Sequence, residues 1–252
     1  MAKSSETLKT VTVAGLLCIV CSVLVAGIVV ALRPQQAKNA EIDMKKNILQ
    51  SAGLLEKGAD VEEAFKSIHV AIVDMNTGKV VQDINPDEYD MTAANKDPEL
   101  SVKIPAGKDV GGLSTRPKYA KVYLEKDDSG DTKTVILNMW SKGLWSTMYG
   151  FIALSTDLTI KGFGYYAQGE TPGLGGEVDN PKWKEQWIGK KIYDNSNDVA
   201  FKVAKGQAQG EYQVDGLSGA TITGNGVTSS MNYWFGEHGY QKVLETVAQG
   251  GL

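Results

Sequence analysis

Val11 to Leu32 form a block of 22 residues without a charge, VTVAGLLCIVCSVLVAGIVVAL. As a helix rising 1.5 Å per residue, such a block reaches about 33 Å, enough to cross a hydrocarbon core of about 30 Å. Only Thr12 and Ser22 interrupt it, and their hydroxyls can bond back to the helix. A cleaved leader has a shorter apolar stretch, about 7–15 residues, closed by a small-residue site. Here the apolar residues run past Ala26-Gly27 to Leu32, so the pattern predicts a retained anchor. Cys18 and Cys21 share one face of it. The spacing suits a helix–helix contact better than a metal site, because two thiols are half a ligand set.

Beyond the block the periodicity changes. After Pro34 and the polar run 35–40, the spacing of Ile42, Ile48, Leu49, Leu54 and Leu55 predicts an amphipathic helix continuing from the anchor. A second helix is expected over Val61–Ile68 with Asp60 as its N-cap. Strand patterns follow. His69–Met75 and Lys79–Asp83 flank Asn76-Thr77-Gly78, a hairpin signature. Residues 84–117 are polar and rich in Pro and Gly, and read as long loops. Further strand pairs are expected at Tyr119–Leu124 with Thr134–Met139 and at Met148–Leu154 with Leu158–Tyr165. Pro181–Ile188 reads as a short helix with Trp183 and Trp187 on one face, and Val199–Ala204 as a strand. Thr223–Phe235 and Tyr240–Ala248 read as closing helices. The sum is an α+β fold: one N-terminal transmembrane helix, then a soluble domain with a twisted, mostly antiparallel sheet and packed helices.

Composition narrows the chemistry. The 252 residues carry 26 Lys+Arg and 30 Asp+Glu, a formal charge of −4, which argues against a nucleic-acid partner. Two Cys and two His argue against a zinc centre or an iron–sulfur cluster held by this chain alone. Glycine is concentrated instead, with eight between Gly143 and Gly176 and six between Gly206 and Gly226. Gly162-Phe-Gly-Tyr-Tyr-Ala167 matches a dinucleotide fingerprint in form only. The helix such a fingerprint requires is forbidden by the Gly and Pro that follow, so close packing at a strand end is the better reading.

Two segments carry more. Glu170-Thr171-Pro172-Gly173-Leu174-Gly175-Gly176 sets a Pro-Gly turn and a run of small residues whose amides can face a planar ring; an ordinary surface loop fits equally well. Asp215-Gly216-Leu217-Ser218-Gly219-Ala220-Thr221 stands just before a helical pattern, where free amides and the macrodipole favour phosphate. Plain capping by Ser and Thr is the rival explanation. At about 7% per residue, a given tetrapeptide turns up by chance in fewer than about 1% of chains this long, so Ser-Gly-Ala-Thr is moderately specific.

These residues resemble the covalent FMN-binding domain family. Asp215-Gly216 followed by Ser218-Gly219-Ala220-Thr221 is similar to its flavinylation motif, and the 170–175 loop and Gly143-Leu-Trp-Ser-Thr-Met-Tyr-Gly150 fit the same family. Within it, the chain is most similar to the C-type subunits of bacterial sodium-translocating NADH:quinone oxidoreductases, with Rnf-type G subunits as close relatives. The resemblance implies FMN joined through its phosphate to Thr221 by a flavin transferase that uses FAD. It implies Ser218, Gly219, Ala220 and Asp215 near the phosphate, Trp145 and Leu174 against the ring, and Thr147, Glu170, Thr171 and Gly175 as polar contacts. It implies an electron relay between an iron–sulfur centre and another flavin, among other subunits of an inner-membrane complex. It also implies a periplasmic soluble domain, although Arg33, Lys38, Lys45 and Lys46 against Lys3 and Lys9 would favour the opposite orientation by charge count alone. The expected organisation is an N-terminal tail (1–10), a transmembrane helix (11–32), a helical connector with the first part of the soluble domain (33–117) and the FMN-binding domain (118–252).

Overall fold

The computed structural model describes residues 2–56 and 58–252. The chain divides into two compact units, Met1–Asp43 and Met44–Leu252. Helix α1 covers Ala2–Ala52 and contributes to both. The expected apolar block is therefore part of a longer helix that already includes residues 2–10, while Met1 of the expected tail lies outside the described residues.

In the first unit the apolar side chains from Val11 to Leu32 are exposed. This helix is long and apolar enough to cross a membrane and fits a membrane anchor. The Thr12 hydroxyl donates to the Leu8 carbonyl at 2.8 Å, which satisfies it without water. Pro34 lies inside the helix, where it withdraws one backbone donor without ending it.

The second unit is built on a five-stranded antiparallel sheet. Its strands are β1 (Ile68–Asp74), β4 (Tyr119–Lys126), β5 (Thr132–Lys142), β6 (Thr147–Ser155) and β7 (Ile160–Ala167), in the spatial order β1-β4-β5-β6-β7. Two small ladders accompany it: β2 (Ser101–Lys103) with β3 (Thr115–Pro117), and β8 (Lys202–Val203) parallel to β9 (Gln213–Val214). The short helices are α2 (Val61–Phe65), α3 (Met91–Ala94) and α4 (Pro181–Glu185), and the closing pair are α5 (Thr221–Trp234) and α6 (Gln241–Ala248).

Alternation along the strands sorts side chains onto two faces. Tyr123, Ile136, Phe151 and Ala153 form a core with Ile48, Leu49 and Ala52 from the last turns of α1. Val122, Leu124, Val135, Leu137, Ile152 and Leu154 belong to a larger core that includes Val227, Met231 and Trp234 of α5 and Val243 and Val247 of α6. Trp234 fixes α5 on β5, its indole donating to the Trp140 carbonyl at 2.9 Å and its ring packed edge-on against Trp140. Gly162 makes room for α1: a Cβ there would lie 2.2 Å from the Ser51 carbonyl oxygen. That is the close packing expected of this glycine-rich strand.

Several expectations shift in detail. Asp60 caps α2 as expected, accepting from the Glu62 and Glu63 amides at 2.9 and 3.0 Å. The Asn76-Thr77-Gly78 turn forms, but its second arm is reduced to a single bridge at Val80, and the main partner of β1 is β4. The 84–117 segment holds α3, β2 and β3 rather than loops alone. The first closing helix begins at Thr221, two residues earlier than its apolar spacing predicts.

Candidate functional site

Three segments far apart in sequence meet at the start of α5. The first is the tip of the β5–β6 hairpin. Lys142 pairs with Thr147 and the Gly143 amide donates to the Ser146 carbonyl at 2.8 Å, which leaves Leu144 and Trp145 at the apex. Trp145 is 72% exposed. Thr147 sits at the base of the tip, its hydroxyl accepting from Lys142 Nζ at 3.1 Å.

The second is the 170–176 loop. Thr171 to Leu174 make a tight turn with Gly173 at φ +76, and both the Leu174 and Gly176 amides donate to the Thr171 carbonyl, at 3.1 and 3.0 Å. Those two amides, expected to be free for a ligand, are thus used within the loop. Leu174 is exposed and Gly175 is buried. Glu170 is only 5% exposed. Its Oε1 accepts from the amides of Trp145 and Ser146 at 2.9 and 3.1 Å, and its Oε2 from the Leu144 amide at 2.9 Å and the Thr223 hydroxyl at 2.7 Å. Burial alone would raise the Glu170 pKa, but the Thr223 hydroxyl and the three amides outweigh it, so the carboxyl is held below its ordinary value.

The third is the helix start itself. Gly219 adopts φ +70, a left-handed backbone that favours glycine, and the Ala220 amide donates to the Leu217 carbonyl at 3.0 Å. Ala220 occupies the N-cap position, and among the described residues no side chain caps the helix. Neither Ser218 nor Thr221 acts as a plain cap, so the rival explanation for these residues fails. The amides of Thr221, Ile222 and Thr223 precede the first intrahelical bond, from Gly224 to Ala220, and stand at the positive end of a 14-residue helix. Thr221 and Ser218 are exposed. Thr223 is buried, and its hydroxyl goes to Glu170 rather than back to the preceding turn as its place in a helix would suggest.

Glycines let these segments close on one another. A Cβ on Gly143 would stand 2.4 Å from Glu170 Oε1, and one on Gly175 would stand 2.7 Å from Thr223 Oγ1. A Cβ on Gly219 would stand 2.9 Å from Leu174 Cδ2, so the exposed leucine of the loop reaches the Ser-Gly-Ala-Thr element. Asp215 makes its hydrogen bonds to residues outside these three segments. Its carboxylate accepts from the Ala208 amide and Gln186 Nε2 at 2.6 and 3.1 Å, and its carbonyl from Trp183 Nε1 at 2.8 Å, so its bonds brace the approach to α5. Lys205 lines a narrow cleft with Thr221, Gly216 and Asn225. Sequence spacing gives no sign of Lys205, of Ile222 (58% exposed beside Thr221), or of the Thr223–Glu170 bond. All three depend on contacts across the fold.

An uncapped helix end suits a phosphate, and the exposed Leu144, Trp145, Leu174 and Ile222 around it offer apolar surface for a planar ring. That pairing suits a cofactor that joins a phosphate to a planar ring. The FMN-binding domain family matches residues 143–236, which contain the hairpin tip, the 170–176 loop and α5. The C subunit of the Na(+)-translocating NADH-quinone reductase of Pseudomonas aeruginosa is 45% identical over 260 residues, covering 99% of each chain. The Haemophilus ducreyi protein of the same name is 47% identical over 238 residues, covering 93% of this chain and 92% of its own. The crystal structure of Shewanella oneidensis NqrC superposes with a TM-score of 0.77 at 35% identity, covering 84% of this chain and 98% of that one. The chain belongs to the family of Na(+)-translocating NADH-quinone reductase C subunits, and is a subunit of an oxidoreductase complex that binds FMN.

Proposed function

We propose that the chain carries FMN as a phosphoester on Thr221 and relays electrons inside the complex, between an iron–sulfur centre and another flavin. The observation that carries this reading is the exposed Thr221 on the uncapped, electropositive first turn of α5, with Leu174 beside it. Thr221 Oγ1 supplies the ester oxygen. The amides of Ile222 and Thr223 would hold the phosphate, Ser218 and Gly219 would leave room for it, and Lys205 would add a positive charge along the same cleft. Trp145 and Leu174 would shield the ring, and Thr147, Thr171 and Gly175 would supply polar contacts. The bound flavin supplies the one- and two-electron chemistry, and the protein supplies position and potential.

A flavin transferase is the maturation partner, and other subunits of the inner-membrane complex are the redox partners. The division that supports this role is an anchor at 11–32, a connector with the first part of the soluble domain at 33–117, and the FMN-binding domain at 118–252. The 33–117 part contributes β1 to the common sheet. The test is made on the full chain produced with the transferase. A denaturing gel should show a fluorescent band near 27 kDa, and the mass should exceed the polypeptide by one FMN less one water. Thr221→Val should abolish the added mass while the fold survives, and Thr223→Val should keep it. Unmodified wild-type chain from a host with an active transferase would sink the reading; label on Thr223 would sink the site but not the flavoprotein.

A further inference from the structure

Among the described residues, Glu170 is the buried carboxylate that reaches all three parts of the site. Five donors converge on it: the amides of Leu144, Trp145 and Ser146, the Ser146 hydroxyl at 3.4 Å, and the Thr223 hydroxyl. Every contact requires an acceptor, so the pattern suits a carboxylate and not a carboxamide, whose amino group would point hydrogens at other donors. The surroundings are shaped for it. The Glu170 amide is held by Gln168 Oε1 at 2.6 Å, Ser146 Oγ also accepts from the Gly169 amide at 2.8 Å, and Gly143 and Gly175 vacate the space that the two carboxylate oxygens fill. Burying a charge is costly unless hydrogen bonds replace water, and here they do. Yet what this knot holds still is an exposed hairpin apex. A two-residue tip carrying a bare indole needs no such clamp for the stability of the sheet, because β5 and β6 are already paired from Thr134–Ser155 to Lys142–Thr147.

We propose that Glu170 is a positioning residue of the flavin site: it ties the hairpin tip to the first turn of α5, so that Trp145 stands as a fixed wall beside the cofactor attached there. The inference rests on the FMN reading above. It reassigns Glu170 from a direct contact of the ring to the residue that places the ring's neighbour. Thr223 acts in the same chain of contacts, joining the helix that bears the attachment point to the carboxylate that holds the wall.

The experiment uses the full chain, flavinylated, in detergent. An indole packed on a flavin quenches its fluorescence by electron transfer, so the fluorescence lifetime of the attached FMN reports on Trp145. Trp145→Leu should lengthen the lifetime. Glu170→Gln should retain the FMN mass and lengthen it too, and the double variant should be no longer-lived than Trp145→Leu alone, because both act through one indole. Thr223→Val should give a partial lengthening, and it serves where Glu170→Gln does not fold. Labelled Glu170→Gln with the wild-type lifetime would overturn the proposal, as would an effect that adds to that of Trp145→Leu. Labelled wild-type chain with an overturned lifetime pattern leaves the flavin reading standing; absence of label in the wild type overturns both.

Discussion

Thr221 and Thr223 are separated by one residue on the same helical turn and have opposite surroundings. Thr221 is exposed, whereas Thr223 is 1% exposed and bonded to Glu170. That difference, more than the motif, makes Thr221 the proposed acceptor. Glu170 carries a pH dependence of its own. Its folded pKa lies below the ordinary value, so its contribution is complete above the unfolded value of about 4.3 and is lost as pH falls through the lower folded value. Amide resonances of Leu144, Trp145 and Ser146 should therefore titrate together, with a midpoint below that of a free glutamate; a midpoint above it would contradict the hydrogen-bond account. Gly175→Ala tests the same junction sterically. The added carbon would press on Thr223 Oγ1 and Glu170 Oε2, and overpacking of this kind costs about 1–3 kcal/mol. The measure is the thermal midpoint, which should fall by several degrees.

Among the elements, the last turns of α1 have a role that hydrophobic periodicity makes legible: Ile48 and Leu49 fall on one apolar face by spacing, and both are fully buried on the sheet. A chain starting near residue 40 should keep its fold, while one starting at Leu54 loses Ile48, Leu49 and Ala52. Full burial of one such large side chain is worth about 1.5–3 kcal/mol, so the shorter chain should melt markedly lower or aggregate. Equal melting points would show that this packing contributes little. The β4–β5 and β6–β7 hairpins are legible for a local reason, since alternation and turn residues lie within a few positions of each other. The arm after Gly78 is not. Its turn chemistry is local, but the choice of β4 as the main partner of β1 is decided some 45 residues away by burial of Ile72 and Val73. The two-residue ladder of β8 and β9 is too short to leave a periodic trace.

For the molecule as a whole, the family and its FMN domain are legible because a short motif, a loop and an anchor occur in one order along the chain. The part played by Glu170 is not, because its partners lie 24 to 53 residues away in sequence. Orientation in the membrane is a property at this scale too. The proposed topology predicts that protease added on the periplasmic side digests residues 34–252 and spares the first ten; a reporter at Leu252 active only in the cytoplasm would reverse it. Charge flanks alone favour that reversal, so the measurement discriminates between flanking charge and family resemblance.

The exposure of Thr221 bears on timing. If Thr221 is the acceptor, as proposed, its place on the surface of the finished fold lets it be charged after the core has closed, with no need to trap an unfolded chain. On the proposed attachment, synthesis and loading become separate events. The species the transferase meets would then be the folded chain, its first α5 turn already formed.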